Sequence, residues 1–98
     1  MPRYLAKFTK DPDERKKYTI SYVDWLAEDE SLVTPTITVT PTTASPLTVD
    51  TEEIDTAESA LSFFVEGGLD GTRYKVIVQV ETSEGQIKED EILFIVRE

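Results

Sequence analysis

Residues Leu61 to Val80, LSFFVEGGLDGTRYKVIVQV, carry the strongest fold signal in the chain. They divide into a strand over 61–65, a glycine-rich corner over 67–71 and a longer strand over 72–81. In the longer strand, apolar side chains recur at every second position, which is typical of a strand with one face buried. The residues on this predicted core face are Tyr74, Val76, Val78 and Val80.

The corner before the longer strand resembles a known element of β-sandwiches. Leu69, Gly71, Thr72 and Tyr74 follow one another as in the tyrosine corner of immunoglobulin-like and fibronectin-like domains. In that element the phenol hydrogen-bonds back to the preceding turn. The corner therefore predicts a sandwich and by itself indicates no function.

Further strand signals lie between turns rich in Gly, Pro and Ser. Alternating apolar residues indicate strands over 18–22 and 33–39, and we expect one or two short strands near 47–49 and 53–56. Pro35 has no N–H to donate to a ladder, so it should lie on an edge strand or at the beginning of its strand. The whole pattern predicts an all-β fold, an immunoglobulin-like (fibronectin III-like) antiparallel β-sandwich of about seven strands with an extended N-terminal arm.

The last hairpin turns at Ser83-Glu84-Gly85, and its register decides which face of the final strand is buried. A three-residue loop with a left-handed glycine would bury one alternating set of side chains, whereas a loop one residue shorter would bury the other. In the first register the buried set is Ile92, Phe94 and Val96. The outward apolar residues, our candidates for a subunit interface, are then Phe64, Ile77, Leu93 and Ile95.

Charge divides the chain into an arm and a body. The net charge of 98 residues is -10, yet residues 1–17 carry six basic and three acidic groups, whereas residues 18–98 carry four basic and 17 acidic groups. We therefore predict an extended basic N-terminal arm over 1–17 and a single β-sandwich domain over 18–98. The acidic surplus disfavours nucleic-acid binding. Whether Tyr4, Leu5 and Phe8 pack on their own domain or on a neighbour stays open.

The residue types exclude several kinds of chemistry. The chain has no histidine and no cysteine, which removes the commonest bases, nucleophiles and zinc ligands. We therefore predict no enzyme, no cofactor and no catalytic, cofactor-binding or metal-binding residue. The acidic clusters at 28–30, 50–55 and 89–91 could bind a hard cation, but solvated edges are the favoured interpretation. No apolar run is long enough to span a membrane, and we expect a soluble protein without a membrane partner.

Two stretches resemble a family of small tailed-phage and prophage proteins, described as phage fiber-tail adaptor or small virion structural proteins. The first is Lys10-Asp11-Pro12-Asp13 followed by YTISYVDWLA at 18–27. The second is FFVEGG at 63–68, followed by GTRYKV at 71–76 and TSEG at 82–85. The chain departs from the usual family pattern at Lys17, Ser21 and Tyr22, where an acid, an acid and a tryptophan are expected.

The resemblance implies a non-enzymatic structural component of a tailed-phage virion, an adaptor at the neck or tail that links neighbouring subunits or fibers. It implies other virion proteins as partners, a homo-oligomeric ring, and a place in the virion after synthesis in the host cytoplasm. The basic arm could lie on the acidic body of the next copy, because opposite charges favour correct encounter. For residues 15–17 a solvated turn is an equally good interpretation. The candidate contact residues are Arg3, Tyr4, Phe8, Lys10, Arg15, Lys16, Lys17, Phe64, Ile77, Leu93 and Ile95.

An alternative function is a particle-displayed adhesion or carbohydrate-binding immunoglobulin-like module. Such a module would need exposed aromatic residues, and Tyr18, Tyr22 and Trp25 could form a platform for a sugar. Their alternating placement favours packing in the core instead.

Overall fold

A computed structural model of the protein describes residues 4–98 and contains seven strands and no helix in that range. The strands are β1 (Ala6–Lys10), β2 (Arg15–Ser21), β3 (Leu32–Thr40), β4 (Leu47–Asp55), β5 (Ala60–Gly67), β6 (Thr72–Thr82) and β7 (Ile87–Val96). They form a four-stranded sheet of order β1-β7-β6-β3 and a three-stranded sheet of order β2-β5-β4. The predicted all-β sandwich of about seven strands is confirmed, and its immunoglobulin-like subtype stays a prediction.

The core lies between the two sheets and is built from the alternating positions read in the sequence. Each of the four predicted side chains of β6 has no exposed surface, and the hairpin has the register of the three-residue loop. Opposite Tyr74 lies Phe94, and opposite Val76 lies Ile92. The apolar face of β7 is therefore fixed by the left-handed Gly85, whose φ is 83°.

The predicted hydrogen bond at the glycine corner is present. The Tyr74 hydroxyl accepts a hydrogen bond from the Leu69 N–H at 2.8 Å, and it lies 2.6 Å from Thr43 Oγ1. Gly68 has a φ of 103°, and a Cβ added there would lie 2.8 Å from Val96 Cγ2. The corner thus needs glycine both for its backbone conformation and for close packing on β7.

The structure differs from the predicted arm. Residues 6–10 form β1, which pairs with β7 in parallel, and residues 15–17 begin β2, which pairs with β5. The boundary drawn at residue 17 therefore falls inside a strand of the sandwich. The turn predicted at 10–13 is present, because the Glu14 N–H donates to the Asp11 carbonyl, and it carries the chain from one sheet to the other.

Two expectations concern the edges on the opposite side of the sandwich. The edge position of the strand with Pro35 is confirmed, because β3 ends the four-stranded sheet. Where one or two short strands were expected between 47 and 56, the structure has one longer strand, since β4 runs over Leu47–Asp55 with a register shift between Asp50 and Glu53. The shift explains why the sequence pattern looked interrupted: Thr51 adopts a φ of 56° and the alternation changes phase there.

Candidate functional site

Three of the predicted contact residues lie together on the outer face of the four-stranded sheet. Leu93 lies between Lys7 on β1 and Lys75 on β6, and Ile95 lies one rung away beside Arg73. Ile77 lies on β6 opposite Glu91, on the side of Leu93 that is away from Ile95. Leu93 keeps only 7% of its surface exposed, whereas Ile77 and Ile95 are half-buried. We call Ile77, Leu93 and Ile95 the outer stripe.

Phe64 does not belong to the outer stripe, which corrects the grouping made from the sequence. It lies on the other sheet, on a rung with Lys17 and Asp50, and so faces the opposite side of the molecule. The guanidinium carbon of Arg15 lies 4.6 Å from its ring centroid. Strand parity alone could not assign Phe64 to a sheet, because alternation only distinguishes inward from outward positions.

Arg15 is held by two carboxylates of its own chain. Its guanidinium donates to both oxygens of Asp50, at 2.8 and 3.1 Å, and to Glu66 at 2.9 Å. These hydrogen bonds, with Asp50 contributing most, raise the pKa of Arg15, and those from Arg15 and Thr51 lower the pKa of Asp50. The cluster bridges all three strands of its sheet, so Arg15 has a structural role on this face.

Lys10 is also used inside the chain. Its side chain is almost fully buried, and its Nζ donates to the carbonyls of Asp11 and Gly67 at 2.8 and 2.7 Å. Burial lowers the pKa of Lys10, while nearby carboxylates, Glu14 foremost, act in the opposite direction. The ammonium therefore joins the turn after β1 to the end of β5.

The remaining candidates of the N-terminal segment divide between core and surface. Phe8 packs on Tyr18 and Phe94, with ring centroids 4.7 and 5.4 Å apart, so it belongs to its own domain. Tyr4 is half-buried, Lys16 and Lys17 are exposed, and Arg3 lies outside the described residues.

A groove that the sequence did not predict opens between the edge strands β1 and β2. Its volume is about 250 Å³, and it is lined mainly by apolar groups. Leu5, at its rim, is 52% exposed. The lining residues are Leu5, Ala6, Phe8, Tyr18, Thr19, Ile20, Ser21 and Ile92. The alternation of Ala6 with Phe8 and of Tyr18 with Ile20 was the available signal, but it did not show that two edges would face each other.

The three aromatic residues considered for a sugar platform pack inward. Tyr22 is 2% exposed, and its ring centroid lies 6.2 Å from that of Trp25. The Lys88 ammonium lies 5.5 Å from the centroid of the Trp25 ring. Burial, with a contribution from Asp90, raises the pKa of Tyr22. The Tyr22 hydroxyl has no hydrogen-bond partner in the described part of the chain. These residues close one end of the core.

Within residues 4–98 no group of acidic side chains has a geometry that could hold a metal ion. The same range contains no helix long and apolar enough to cross a membrane. The chemical features of the surface are thus a stripe of apolar residues, a groove and charged edges, which define a binding module built on a β-sandwich.

The comparison with protein families agrees with this class. The chain belongs to the Gp77 family, described as podophage GP4 fiber-tail adaptor protein gp77, whose model matches residues 10–95. The match spans the turn after β1 through almost the whole of β7, so it covers both sheets. No curated protein matches the chain. Membership in a fiber-tail adaptor family implies a place in the phage particle and contacts with other phage tail proteins.

Proposed function

We propose that the protein is a non-enzymatic structural adaptor of the virion that links neighbouring subunits or fibers at the neck or tail. The observation that carries this proposal is the family match over residues 10–95. We further propose that the chain is assembled into a homo-oligomeric ring after synthesis in the host cytoplasm. A sandwich with a continuous buried core suits this role, because contacts on a rigid body transmit load without local unfolding.

The outer stripe is the surface that we assign to another tail protein. It places apolar side chains on the solvent face of a sheet, where a partner can cover them. Lys7 and Arg73 are exposed beside Leu93 and Ile95, so the partner should offer acidic groups at these two positions. Lys75 already pairs with Glu91 of its own chain at 3.7 Å.

A deletion of the N-terminal segment is a poor test of this assignment. Residues 6–10 form β1 and supply Phe8 to the core, so removing them would damage the sandwich itself. Point substitutions on the outer face separate contact from folding.

The test is complementation of a phage that lacks this gene, with the variant Ile95→Glu and the control variant Ile87→Glu. Both residues lie on β7 with the same parity, but Ile87 is 60% exposed near the hairpin and far from the outer stripe. We expect Ile95→Glu to lower the amount of chain in purified particles at least tenfold and Ile87→Glu to leave it unchanged. Urea unfolding shows whether each variant is folded, and Arg73→Glu tests the rim at an exposed position.

Two results would count against the proposal in different ways. Equal incorporation of both isoleucine variants would exclude the outer stripe as the contact surface. Absence of the wild-type chain from purified particles would exclude the adaptor function.

A further inference from the structure

The sandwich has two open sides, each formed by one edge strand from each sheet. On one side lie β1 and β2, with the groove between them, and we call it the groove side. On the other side lie β3 and β4, which contact each other across the sandwich, and we call it the acidic side. The charges on these two sides are opposite.

The groove side carries three exposed cations, Lys7, Lys16 and Lys17. Within residues 4–98 none of them forms an ion pair, whereas Arg15 is bound by Asp50 and Glu66. The ammonium of Lys16 lies 5.7 Å from the Tyr18 ring at the groove, so positive charge borders an apolar depression.

The acidic side carries exposed carboxylates on β4 and no charge on β3. Glu52, Glu53 and Asp55 are exposed, and in the described part of the chain they form no ion pair. The strand β3, LVTPTITVT, lacks the charges that usually keep an edge strand from pairing. Pro35 and the register shift between Leu32 and Pro35 limit pairing at its beginning, so the edge open to a partner is 36–40. Its Ile37 and Val39 are only half-buried, so the edge offers apolar groups beside a negative strand.

Strand directions allow one copy to continue the sheets of another. The edges β2 and β4 are both antiparallel to β5, so they run in the same direction. The edges β1 and β3 also run in one direction, because β1 is parallel to β7 and β3 is related to β7 through two antiparallel pairings. A second copy rotated about an axis along the strands therefore brings β1 and β2 beside β3 and β4 without reversing any strand.

Charge selects this arrangement over a two-fold dimer. A two-fold contact would bring each side onto a copy of itself, so the side with Lys16 and Lys17 would face a second lysine-bearing side, or the side with Glu52 and Glu53 a second acidic side. Like charges face to face are unfavourable, whereas the head-to-tail contact pairs lysines with carboxylates.

We propose that the groove side of one copy docks on the acidic side of the next copy, with the β3 edge seated at the groove. A repeated head-to-tail contact closes into a ring when its rotation divides a full turn. The inference rests on the proposed homo-oligomeric adaptor and adds which surfaces join the copies. It leaves both outer faces free, including the outer stripe assigned to another tail protein.

The absence of cysteine in the chain allows a direct test with introduced thiols. Lys17 and Glu53 lie on the same outer face of the three-stranded sheet but on opposite edges. The double variant Lys17→Cys/Glu53→Cys is treated with a flexible bis-maleimide, both as purified chain and in particles of a phage that encodes it. The control Lys17→Cys/Glu84→Cys has the same charge change, with Glu84 in the exposed β6–β7 turn.

We expect a ladder of dimers, trimers and larger products from Lys17→Cys/Glu53→Cys, at least tenfold above the control. Each single variant should stay monomeric, because a head-to-tail contact never brings two identical residues together. Dimers from a single variant would indicate a two-fold contact and overturn the inference. A ladder of equal yield in the control would also overturn the inference. The absence of a ladder from both the purified chain and the particles would overturn it as well.

Charge reversal supplies a second test that does not depend on linker reach. Lys16→Glu/Lys17→Glu and Glu52→Lys/Glu53→Lys should each weaken self-association measured by sedimentation, because each places like charges opposite one another at these positions of the contact. Mixing the two variants should give mixed oligomers in which the variants alternate, and failure of the two variants to associate with each other would overturn the inference.

The two proposals fail separately. If the wild-type chain is present in particles but the double variant gives no ladder there, the docking mode is wrong and the adaptor function stands. If the chain is absent from particles, the adaptor function fails, and the purified chain alone decides the docking mode.

Discussion

Removing one hydroxyl from each of two buried tyrosines should have opposite effects on stability. In Tyr74→Phe, the Leu69 N–H loses its acceptor at 2.8 Å and Thr43 loses a partner at 2.6 Å. In Tyr22→Phe, the hydroxyl removed has no hydrogen-bond partner in the described residues. Both side chains are almost fully buried, with 0% and 2% exposed, so the two substitutions change packing equally.

The expected magnitude follows from the net contribution of a hydrogen bond to stability. The bond from the Leu69 N–H is part-buried and Leu69 is 43% exposed, so Tyr74→Phe should lower the free energy of unfolding by about 0.5–1.5 kcal/mol. Tyr22→Phe removes an unsatisfied group and should leave the free energy unchanged or raise it. For a domain of this size, 1 kcal/mol corresponds to roughly 4–8 °C in Tm.

Urea unfolding followed by fluorescence of Trp25, the one tryptophan, measures both variants against the wild type. Equal m-values would show that the midpoints report stability and not a changed unfolded state. Equal midpoints for Tyr74→Phe and Tyr22→Phe would refute the reasoning, because the corner would then hold without the tyrosine hydroxyl.

Four further substitutions test other parts of the fold. Gly85→Ala should cost about 1–2 kcal/mol for its left-handed backbone alone, and Gly68→Ala should cost more in the same urea assay because its Cβ also meets β7. Phe94→Ala should lower the free energy of unfolding by about 3–5 kcal/mol, measured by calorimetry. The lowered pKa of Asp50 stabilises the fold above about pH 4, and that stability is lost as the pH falls through the folded-state value. The stability of Arg15→Gln should therefore depend less on pH between 3 and 5 than that of the wild type. This difference between the two proteins should become smaller at high salt, because salt screens the ion pair.

The alternating strands could be predicted because their signal is local. Each inward residue of β5 and β6 follows from period-2 spacing. For β7 the spacing left two registers open, and the structure selects the one with the three-residue loop and the left-handed Gly85. The tyrosine corner was likewise visible, since its residues lie within six positions of one another.

The N-terminal segment could not be placed because its partners are distant in sequence. Ala6 pairs with Ile92, and Lys16 pairs with Val65, so no local pattern shows that the segment completes both sheets. The run of basic residues favoured an extended arm. A lysine in a strand can nevertheless keep its ammonium in water, so the basic residues do not prevent the segment from pairing with β7 and β5. The groove was missed for the same reason, since it exists only where two such edges meet.

The positions of the basic residues in the fold determine which surface can bind an acidic partner. Counted along the chain, residues 1–17 have a net positive charge, yet Lys10 is buried against carbonyls and Arg15 is held by two carboxylates. The cations left to act on a partner are therefore those at the groove, Lys16 and Lys17 above all. Two lysines beside an apolar groove select a partner that offers carboxylates next to an uncharged strand edge, and β4 beside β3 provides that combination on the same molecule.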